Sequence, residues 1–418
     1  MWTSEGASLA KKMITRVHEL DATRPTTQAF PGTTSSANAD AVMSQLDVSG
    51  YNYNLAQNQA DNHQRVPTRV MMTTESFPAD AFEQWTLTQD HPYILGEFVW
   101  TAMDYLGESG IGAWYYGTSK EVQDAGKMGG FIRSFMASFG ADGKNIIAPF
   151  QNGQPPSPSS PGWPWHGAYC GDIDLTGRRK PISFYRDILW NGGDHVYVSV
   201  RLPETEDHKL IAGGWTVMPT IESWTWPGRE GQPFTVELYS KADSVRLLLN
   251  GRSLGEKPTG KEQQFKADFE VPYEPGTLTA QAIRLGQPVA EMKLATAGQI
   301  AGLHLTADHQ HIAADGEDLS FVVVEAVDAQ GNPQPNAEGK VHFAVNGEGV
   351  LAAVGNGDPS DSESYAGDSF QLLRGRALAI VRSSHNPGEI MLTASQDGLP
   401  SSSTRVKTSE LPAAVALK

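Results

Sequence analysis

The pattern of apolar and polar residues changes near residue 193. Before this point, segments with helical spacing alternate with nearly continuous apolar runs. Helical spacing predicts a helix that follows directly from Met1 and ends at Leu20, where Leu9, Met13, Val17 and Leu20 recur, and further helices over 37–46 and 182–190. The apolar runs predict strands over 26–30, 47–53, 66–77 and 92–103. Such runs, separated by helices, are typical of a parallel sheet that is buried on both faces.

After residue 193 the chain consists of short alternating strands separated by turn residues. A first group is predicted over 195–200, 234–239, 244–249 and 276–284, with a hairpin turn at Asn250-Gly251. A second group is predicted over 303–307, 319–327, 340–345, 377–381 and 390–394. Each group spans about 100–120 residues, close to the usual size of an immunoglobulin-like domain. We therefore predict an α/β domain over 1–192 and two β-sandwich domains over 193–298 and 299–418.

Composition narrows the function classes. The 418 residues include 10 Trp, 12 Tyr and 15 Phe, enough to build sizeable cores. A net charge of −16, with no long Lys/Arg cluster, argues against a nucleic-acid partner. No apolar run is long enough to span a membrane. Cys170 is the only cysteine, which excludes an internal disulfide and argues against a thiolate zinc site. Cysteine poverty is compatible with export, but the compartment stays open.

Polar and aromatic residues collect where the predicted parallel strands end. One strand ends in Tyr51-Asn52-Tyr53, the next at Glu75, and the third in the segment from Glu97 to Asp104. Ligands of parallel α/β sheets bind at these strand ends. Aromatic faces with carboxylates and amides suit a pyranose ring, whose apolar face stacks while its hydroxyls need polar partners. Taken alone, Glu75 is more simply interpreted as an ordinary solvated loop residue, and it is this context that favours a role in chemistry.

The sequence motifs typical of other kinds of catalysis are absent. The sequence contains no Gly-rich phosphate loop, no metal-ligand spacing and no Gly-x-Ser-x-Gly element. Glycoside hydrolysis requires two carboxylates and no cofactor, so it is the leading hypothesis, with a carbohydrate as substrate and no metal.

Four segments resemble glycoside hydrolase family 2, and within it the β-galactosidase group. They are residues 47–54, 73–78, 96–108 and 169–185, of which the run from Phe98 to Glu108 is the most specific. The resemblance extends over essentially the whole chain. It implies the C-terminal half of a (β/α)8 TIM barrel followed by two immunoglobulin-like β-sandwich domains.

The resemblance also implies a retaining mechanism and roles for individual residues. Glu75 would be the nucleophile, roughly 5–5.5 Å from a second, acid/base carboxyl group. Tyr53 would hydrogen-bond the nucleophile, with Tyr51 as the other match to the pattern. Asn52 would line the same site. Trp100 would stack on the sugar, unless it is a core residue at a strand end.

The acid/base glutamate of the family has no counterpart in this sequence. In the family it belongs to an Asn-Glu pair that precedes the helix with which this chain opens. Glu5 lies after that point and suits the positive end of a helix. The resemblance therefore predicts that an N-terminal half is missing and that the chain alone is inactive. The missing half, on a separate chain, or a second copy would be its partner.

The remaining candidates each have two interpretations. Trp163 and Trp165 follow a Pro/Ser-rich stretch over 155–161 and form either an aglycone platform or a packing plug. Asp104 would bind a sugar hydroxyl, Glu97 would be buried and paired, and Glu108 would lie on the surface. Trp215, Trp224 and Trp226 would belong to the first sandwich, as packing or as a carbohydrate-binding stripe. That stripe supports the rival class, a non-catalytic binding or adhesion module, and a gene remnant is a third possibility.

Galactose is the default sugar from the resemblance. The Asn-x-Lys element that reads the carboxylate of a glucuronide in this family is not found in residues 1–192. β-Glucuronidase and β-mannosidase specificities remain the alternatives.

Overall fold

Four parallel strands, in the order β1-β2-β3-β4, form the central sheet of the N-terminal part of the chain. These strands are β1 Thr27–Pro31, β2 Val48–Asn52, β3 Met71–Ser76 and β4 Ile94–Val99. The helices among the described residues are α1 Ser4–Leu20, α2 Ala37–Met43, α3 Ala56–Arg65, α4 Ala81–Asp90 and α5 Pro181–Trp190. The predicted alternation of helices and parallel strands is confirmed.

The computed structural model describes residues 4–31, 37–53, 56–118, 163–204, 209–212 and 215–410. The chain divides into two units. The first contains Met1–Asp172, Ile182–Gly192 and Pro203–Pro219, and the second contains Ile173–Pro181, Gly193–Leu202 and Thr220–Lys418. The Pro/Ser-rich stretch over 155–161 lies outside the described residues.

Strand β3 begins five residues later than its apolar pattern predicts. Residues 66–70 form a turn after α3 instead, in which Val66 N donates to Asn62 O and Arg69 N donates to Val66 O. Pro67 has no backbone N–H and therefore cannot donate to a sheet. The strand starts once this turn is complete, at Met71.

The core of the parallel sheet lies between β1–β4 and the helices. It contains Phe30, Val42, Met43, Tyr51, Met71, Leu87 and Ile94. All five residues of β2 are buried, as expected for a strand covered on both faces. Helix α1 packs on this core through the small residues Ala7 and Ala10. Its predicted stripe of larger apolar residues, from Leu9 to Leu20, is exposed instead.

Short strands are also present in the described part of the first unit. They are β5 Tyr105–Leu106, β6 Trp114–Gly117, β7 Gly167–Ala168 and β9 Lys209–Ala212. β5 pairs with β7, and β6 pairs with β9, both antiparallel. The first of these pairs joins two loops that flank the candidate site.

The second unit begins with two four-stranded antiparallel sheets around one core. Their orders are β10-β8-β11-β14 and β13-β12-β15-β16. The strands are β8 Tyr197–Arg201, β10 Thr220–Ile221, β11 Pro233–Tyr239, β12 Ser244–Leu249, β13 Arg252–Pro258, β14 Lys266–Pro272, β15 Thr277–Arg284 and β16 Gln287–Ala295. Asn250 and Gly251 both have positive φ in the tight turn between β12 and β13, which confirms the predicted hairpin.

Two further sheets share a second core within this unit. Their orders are β17-β19-β23-β21 and β18-β25-β24-β20-β22. The strands are β17 Ile300–Ala307, β18 His311–Ala313, β19 Leu319–Asp328, β20 Lys340–Gly347, β21 Gly349–Gly355, β22 Ser369–Gln371, β23 Arg376–Ser383, β24 Gly388–Ser395 and β25 Ser402–Ser409. The second half of the chain is therefore all-β, as its alternating pattern predicts.

Candidate active site

Glu75 is the penultimate residue of β3, at the edge of the sheet where the parallel strands end. It is partly buried, and it is opposite Asn52, the last residue of β2. Tyr53 N donates to Glu75 O over 2.8 Å. Close packing supports this edge, because a Cβ on Gly50 would lie 2.6 Å from Gln28 O and from a side-chain atom of Thr74. The strands thus bring the predicted cluster of Glu75, Asn52 and Tyr53 together.

The hydroxyl of Tyr53 lies between an acceptor and a donor. It hydrogen-bonds the carboxylate of Glu75, and it accepts a hydrogen bond of 2.9 Å from Trp215 Nε1. Phe77 packs on the tyrosine ring at 4.5 Å between centroids. Burial, together with the nearby charge of Glu75, raises the pKa of Tyr53 well above its usual value. The phenol therefore remains protonated and donates to Glu75.

Tyr51, the other tyrosine that fits the sequence pattern, lies in the core. It is fully buried, and its hydroxyl faces Met43 Sδ at 3.9 Å. Tyr51 and Tyr53 have different surroundings because the chain turns at Tyr53, whose φ is positive. Tyr53 is the tyrosine that contacts the carboxylate.

Asn52 is held in one orientation. Its Oδ1 accepts a hydrogen bond of 2.7 Å from Thr74 Oγ1. The amide nitrogen is therefore the group that donates to the carboxylate of Glu75, with which the side chain is hydrogen-bonded. Asn52 is 8% exposed, so this contact is largely shielded from water.

The surroundings of Glu75 raise the pKa of its carboxyl on balance. Burial raises the pKa of its carboxyl, and the charge of Glu108 raises it further. Hydrogen bonds from Tyr53 and Asn52 oppose this rise. A carboxylate whose charge is costly and that is held by two donors is a group prepared for chemistry rather than for stability.

Trp100 follows β4 and lies beside the end of β3. Its backbone N donates to Ser76 O over 3.0 Å, and its Nε1 donates to the hydroxyl of Tyr105 over 3.2 Å. Tyr105 in turn donates to the carboxylate of Glu108. Glu108 is exposed, as predicted for a surface residue, but its charge acts on Glu75.

The other predicted site residues differ in exposure. Asp104 is 3% exposed, and its Oδ1 accepts from Gly171 N over 2.8 Å, so it anchors a neighbouring loop. Its contact with a sugar hydroxyl stays a prediction. Trp163 is 78% exposed, whereas Trp165 is partly buried and donates from Nε1 to Gly167 O over 2.8 Å.

The loop that carries Trp163 is attached to the loop that carries Glu108. Gly107 N donates to His166 O over 3.2 Å, and Gly110 N donates to Gly167 O over 3.1 Å. These bonds continue the β5–β7 pairing. Trp165 thus packs within this loop pair, whereas Trp163 presents an exposed aromatic face, and contact of either with an aglycone stays a prediction.

Trp215 is a residue whose position the sequence did not predict. It was expected in the first sandwich but belongs to the first unit, with its ring 5.6 Å from Tyr53 and 5.0 Å from Phe77. Trp224 is fully buried in the sandwich core, and Trp226 packs on Phe234 at 4.6 Å. The three tryptophans do not form one exposed stripe, which removes the support for a binding module in the second unit.

None of the helices in the described part of the chain has the length and apolar character needed to cross a membrane. Within the same residues, no group of three or more His, Cys, Asp or Glu side chains is arranged to hold a metal ion.

Comparisons with known proteins find relatives of this chain. Residues 303–405 match the family model for the glycoside hydrolase family 2 C-terminal domain 5, and residues 231–290 match a domain of unknown function. The chain is 27% identical to the β-galactosidase BoGH2A of Bacteroides ovatus, over 98% of this chain and 44% of that protein. It is 24% identical to a putative β-glucuronidase of Formosa agariphila, over 74% of this chain and 24% of that protein.

Solved structures give the same result. A glycosyl hydrolase family 2 member from Bacteroides cellulosilyticus matches with a TM-score of 0.82 and 29% identity, over 98% of this chain and 48% of that one. These matches place the chain in the glycoside hydrolase class. It belongs to glycoside hydrolase family 2 and spans less than half the length of these relatives, at most 44% of the curated proteins and 48% of the solved structure named here.

Proposed function

We propose that this chain carries the nucleophile of a retaining exo-β-glycosidase and that Glu75 is that nucleophile. The observation that supports this most is the carboxylate of Glu75 at a strand end, held by Tyr53 and Asn52. Attack on an anomeric carbon needs an ionised carboxylate in a fixed rotamer, which these two donors provide. Trp100, next to the same strand end, provides an aromatic wall for the sugar ring.

A second carboxyl group must protonate the leaving oxygen and later activate water. We infer that the parallel sheet is the later half of a (β/α)8 barrel, whose other half supplies this acid/base group. The remainder of the chain would then be two immunoglobulin-like domains, over about 193–298 without the segment Pro203–Pro219, and over about 299–418. Two features support the inference: β1 and β4 are the outer strands of the sheet, and the apolar stripe of α1 is exposed. Open edges and apolar stripes of this kind normally have a partner.

The exposed apolar stripe of α1 predicts that the chain associates with itself when it is studied alone. Met13 and Leu20 are 61% and 71% exposed, and burying one such side chain contributes about 1.5–3 kcal/mol. We expect the double variant Met13→Lys/Leu20→Lys to weaken association at least about tenfold in sedimentation velocity. Leu285→Lys, at an exposed hairpin tip in the second unit, is the matched control. A wild-type chain that is monomeric at all concentrations would contradict the prediction.

For the sugar, we propose a terminal β-D-galactoside. The relative BoGH2A is a β-galactosidase, while the Formosa relative is a putative β-glucuronidase, so the matches alone leave both open. The position of Glu108 favours a neutral sugar. Its charge reaches Glu75, so a uronate bound at the same carboxylate would meet two negative groups. Trp163, on the adjoining loop, would stack on the aglycone.

The proposal is tested by intact mass after incubation with an activated 2-deoxy-2-fluoro-β-galactoside. This reagent requires a nucleophile but little help from an acid, so the chain alone is a suitable target. We expect one covalent adduct, which peptide mapping assigns to Glu75. The corresponding fluoroglucuronide is run in parallel and should label much more slowly. An adduct on another residue, or faster labelling by the glucuronide, would contradict the assignment of the nucleophile or of the sugar.

The charge of Glu108 predicts a shift in the pH dependence of labelling. The nucleophile reacts as a carboxylate, so labelling fails as the pH falls through the pKa of Glu75. Glu108→Gln removes a charge that raises this pKa, so the acid limb should move to lower pH. Glu108→Gln should also lower the ratio of the labelling rate with the fluorogalactoside to that with the fluoroglucuronide.

Glu19→Gln is the control for Glu108→Gln, because Glu19 is an exposed carboxylate of the same unit that pairs with Arg16. It should leave the acid limb in place. An equal shift in both variants would mean that only the net charge matters. An unshifted Glu108→Gln profile would remove the electrostatic reason for excluding a uronate.

A further inference from the structure

Three charged side chains form a buried network next to the end of β3. Arg186, on α5, donates from Nη1 to Glu97 Oε1 over 2.7 Å and from Nε to Asp172 Oδ2 over 2.7 Å. The side chains of Glu97, Arg186 and Asp172 are 4%, 15% and 10% exposed. Glu97 is thus buried and paired, as its sequence context predicted. The cluster contains two carboxylates and one guanidinium.

At one end, this network contacts the residue that follows the proposed nucleophile. Glu97 Oε2 accepts a hydrogen bond of 2.7 Å from the hydroxyl of Ser76, which is 1% exposed. Ser76 O in turn accepts from Trp100 N. Arg186 is therefore connected, through one carboxylate and one hydroxyl, to the backbone between Glu75 and the aromatic wall of the site.

The other end reaches the loops that follow β4. Asp172 N donates to Thr101 O over 3.2 Å, and the neighbouring Gly171 N donates to Asp104 Oδ1 over 2.8 Å. A single arginine, far along the chain on α5, thus joins the strand that carries Glu75 to the segment that starts with Trp100.

Stability alone is a poor reason for this arrangement. Replacing a buried ion network by apolar residues of similar volume is often neutral or stabilising, because desolvating the charges is expensive. Burial opposes the charge of Arg186, but Asp172 and Glu97 outweigh it and raise the pKa of the guanidinium. Glu97 keeps a raised pKa, mainly from burial, even with this partner. The benefit of these buried charges is therefore positional, because their directional hydrogen bonds fix the neighbouring backbone.

We propose that Arg186 is a positioning residue for the nucleophile, acting through Glu97 and Ser76 to hold the end of β3 against the segment that carries Trp100. The role rests on the proposed function of Glu75. Removing the guanidinium leaves Glu97 buried without its cation, so the carboxylate must shift or take up water or a proton. Either change releases the hydroxyl of Ser76 and loosens the backbone next to Glu75. A small displacement of a reacting group is enough to slow a reaction about 10²-fold.

The test compares Arg186→Met with Arg186→Lys, which retains a cation, and uses two readouts on the full chain. The first is hydrogen exchange of the peptides containing Tyr53 and Trp100, whose N–H groups donate to Glu75 O and Ser76 O. We expect faster exchange there in Arg186→Met and unchanged exchange in β1. The second is labelling by the fluorogalactoside. The maximal inactivation rate should fall about 10²-fold, with the half-saturating concentration unchanged, and Arg186→Lys should recover much of the rate.

Two further variants separate positioning from general destabilisation. Arg201→Met is the matched control, since Arg201 also pairs with two carboxylates, Glu237 and Asp268, but in the second unit. It should leave both readouts unchanged. Ser76→Ala removes the hydrogen bond from Ser76 to Glu97 but leaves the ion pair between Glu97 and Arg186 in place. It should reproduce the exchange effect of Arg186→Met, including in the case that Arg186→Met does not fold.

The possible failures are distinguishable. If the wild-type chain is labelled at Glu75 and neither Arg186→Met nor Ser76→Ala changes the rate or the local exchange, the positioning role is wrong and the proposed function stands. Exchange that rises uniformly across the first unit also overturns the role, because it indicates loss of stability only. If the wild-type chain is not labelled, the proposed function fails, and the exchange data still decide whether Arg186 holds this strand end.

Discussion

Glu75→Gln should abolish the covalent adduct with the fluorogalactoside while leaving the chain folded. An amide is a very poor nucleophile, and Glu75 is the carboxylate that Tyr53 and Asn52 hold in place. The expected result is complete loss of labelling in intact mass, against near-stoichiometric labelling of the wild type. Glu75→Asp is the second variant, because it keeps the charge but withdraws the carboxylate by one methylene. It should label about 10²-fold more slowly. Labelling of Glu75→Gln at the wild-type rate would rule out Glu75 as the nucleophile.

The same substitution has a predictable effect on stability. The folded-state pKa of Glu75 is raised, so its contribution to stability is fully present below the unfolded-state pKa and is lost as the pH rises through the folded-state value. Glutamine carries no charge at any pH and does not suffer this loss. We therefore expect Glu75→Gln to melt no lower than the wild type at neutral pH, with any advantage vanishing on acidification. A gain in stability when function is lost is typical of substitutions at active-site groups.

The local features of the fold follow from the sequence because they depend on residues close together in the chain. Alternation predicts Ser244–Leu249 as a strand with the observed bounds. Apolar runs predict the parallel strands, and parallel strands necessarily bring their ends to one edge. Glu75, Asn52 and Tyr53 can therefore be grouped from the order of residues alone.

The partners of these residues are not predictable in the same way. Trp215 is 162 positions from Tyr53, and nothing in its own segment indicates which surface it meets. Arg186 lies on a helix whose apolar spacing is evident, but the spacing does not say which carboxylates its buried arginine reaches. The packing of α1 is unpredictable for a related reason. Helical spacing predicts an apolar stripe, but it does not say which surface covers that stripe, and here Ala7 and Ala10 make the contact.

Tyr53→Phe should slow labelling of Glu75 and move its pH dependence in the direction opposite to Glu108→Gln. The hydroxyl of Tyr53 donates to the carboxylate and lowers its pKa against the effect of burial. Removing it raises the pKa of Glu75, so the acid limb of the labelling profile should shift to higher pH. A hydrogen bond to a charged group contributes about 1.5–3 kcal/mol. Because Glu75 is only partly buried, we expect the lower end of that range, a loss of about tenfold in rate on the plateau.

Trp215→Phe separates the two hydrogen bonds of the Tyr53 hydroxyl. This variant keeps an aromatic ring against Phe77 but removes the Nε1 donor, which holds the hydroxyl without touching Glu75. It should produce a smaller loss of rate than Tyr53→Phe and a shift of the acid limb in the same direction, because a freer hydroxyl donates less effectively to the carboxylate. If Tyr53→Phe slows labelling without any shift of the acid limb, the hydroxyl serves only to pack the site. If Trp215→Phe is the more damaging variant, the ring of Trp215 contributes more than its hydrogen bond, and its contact with Phe77 becomes the main support of Tyr53.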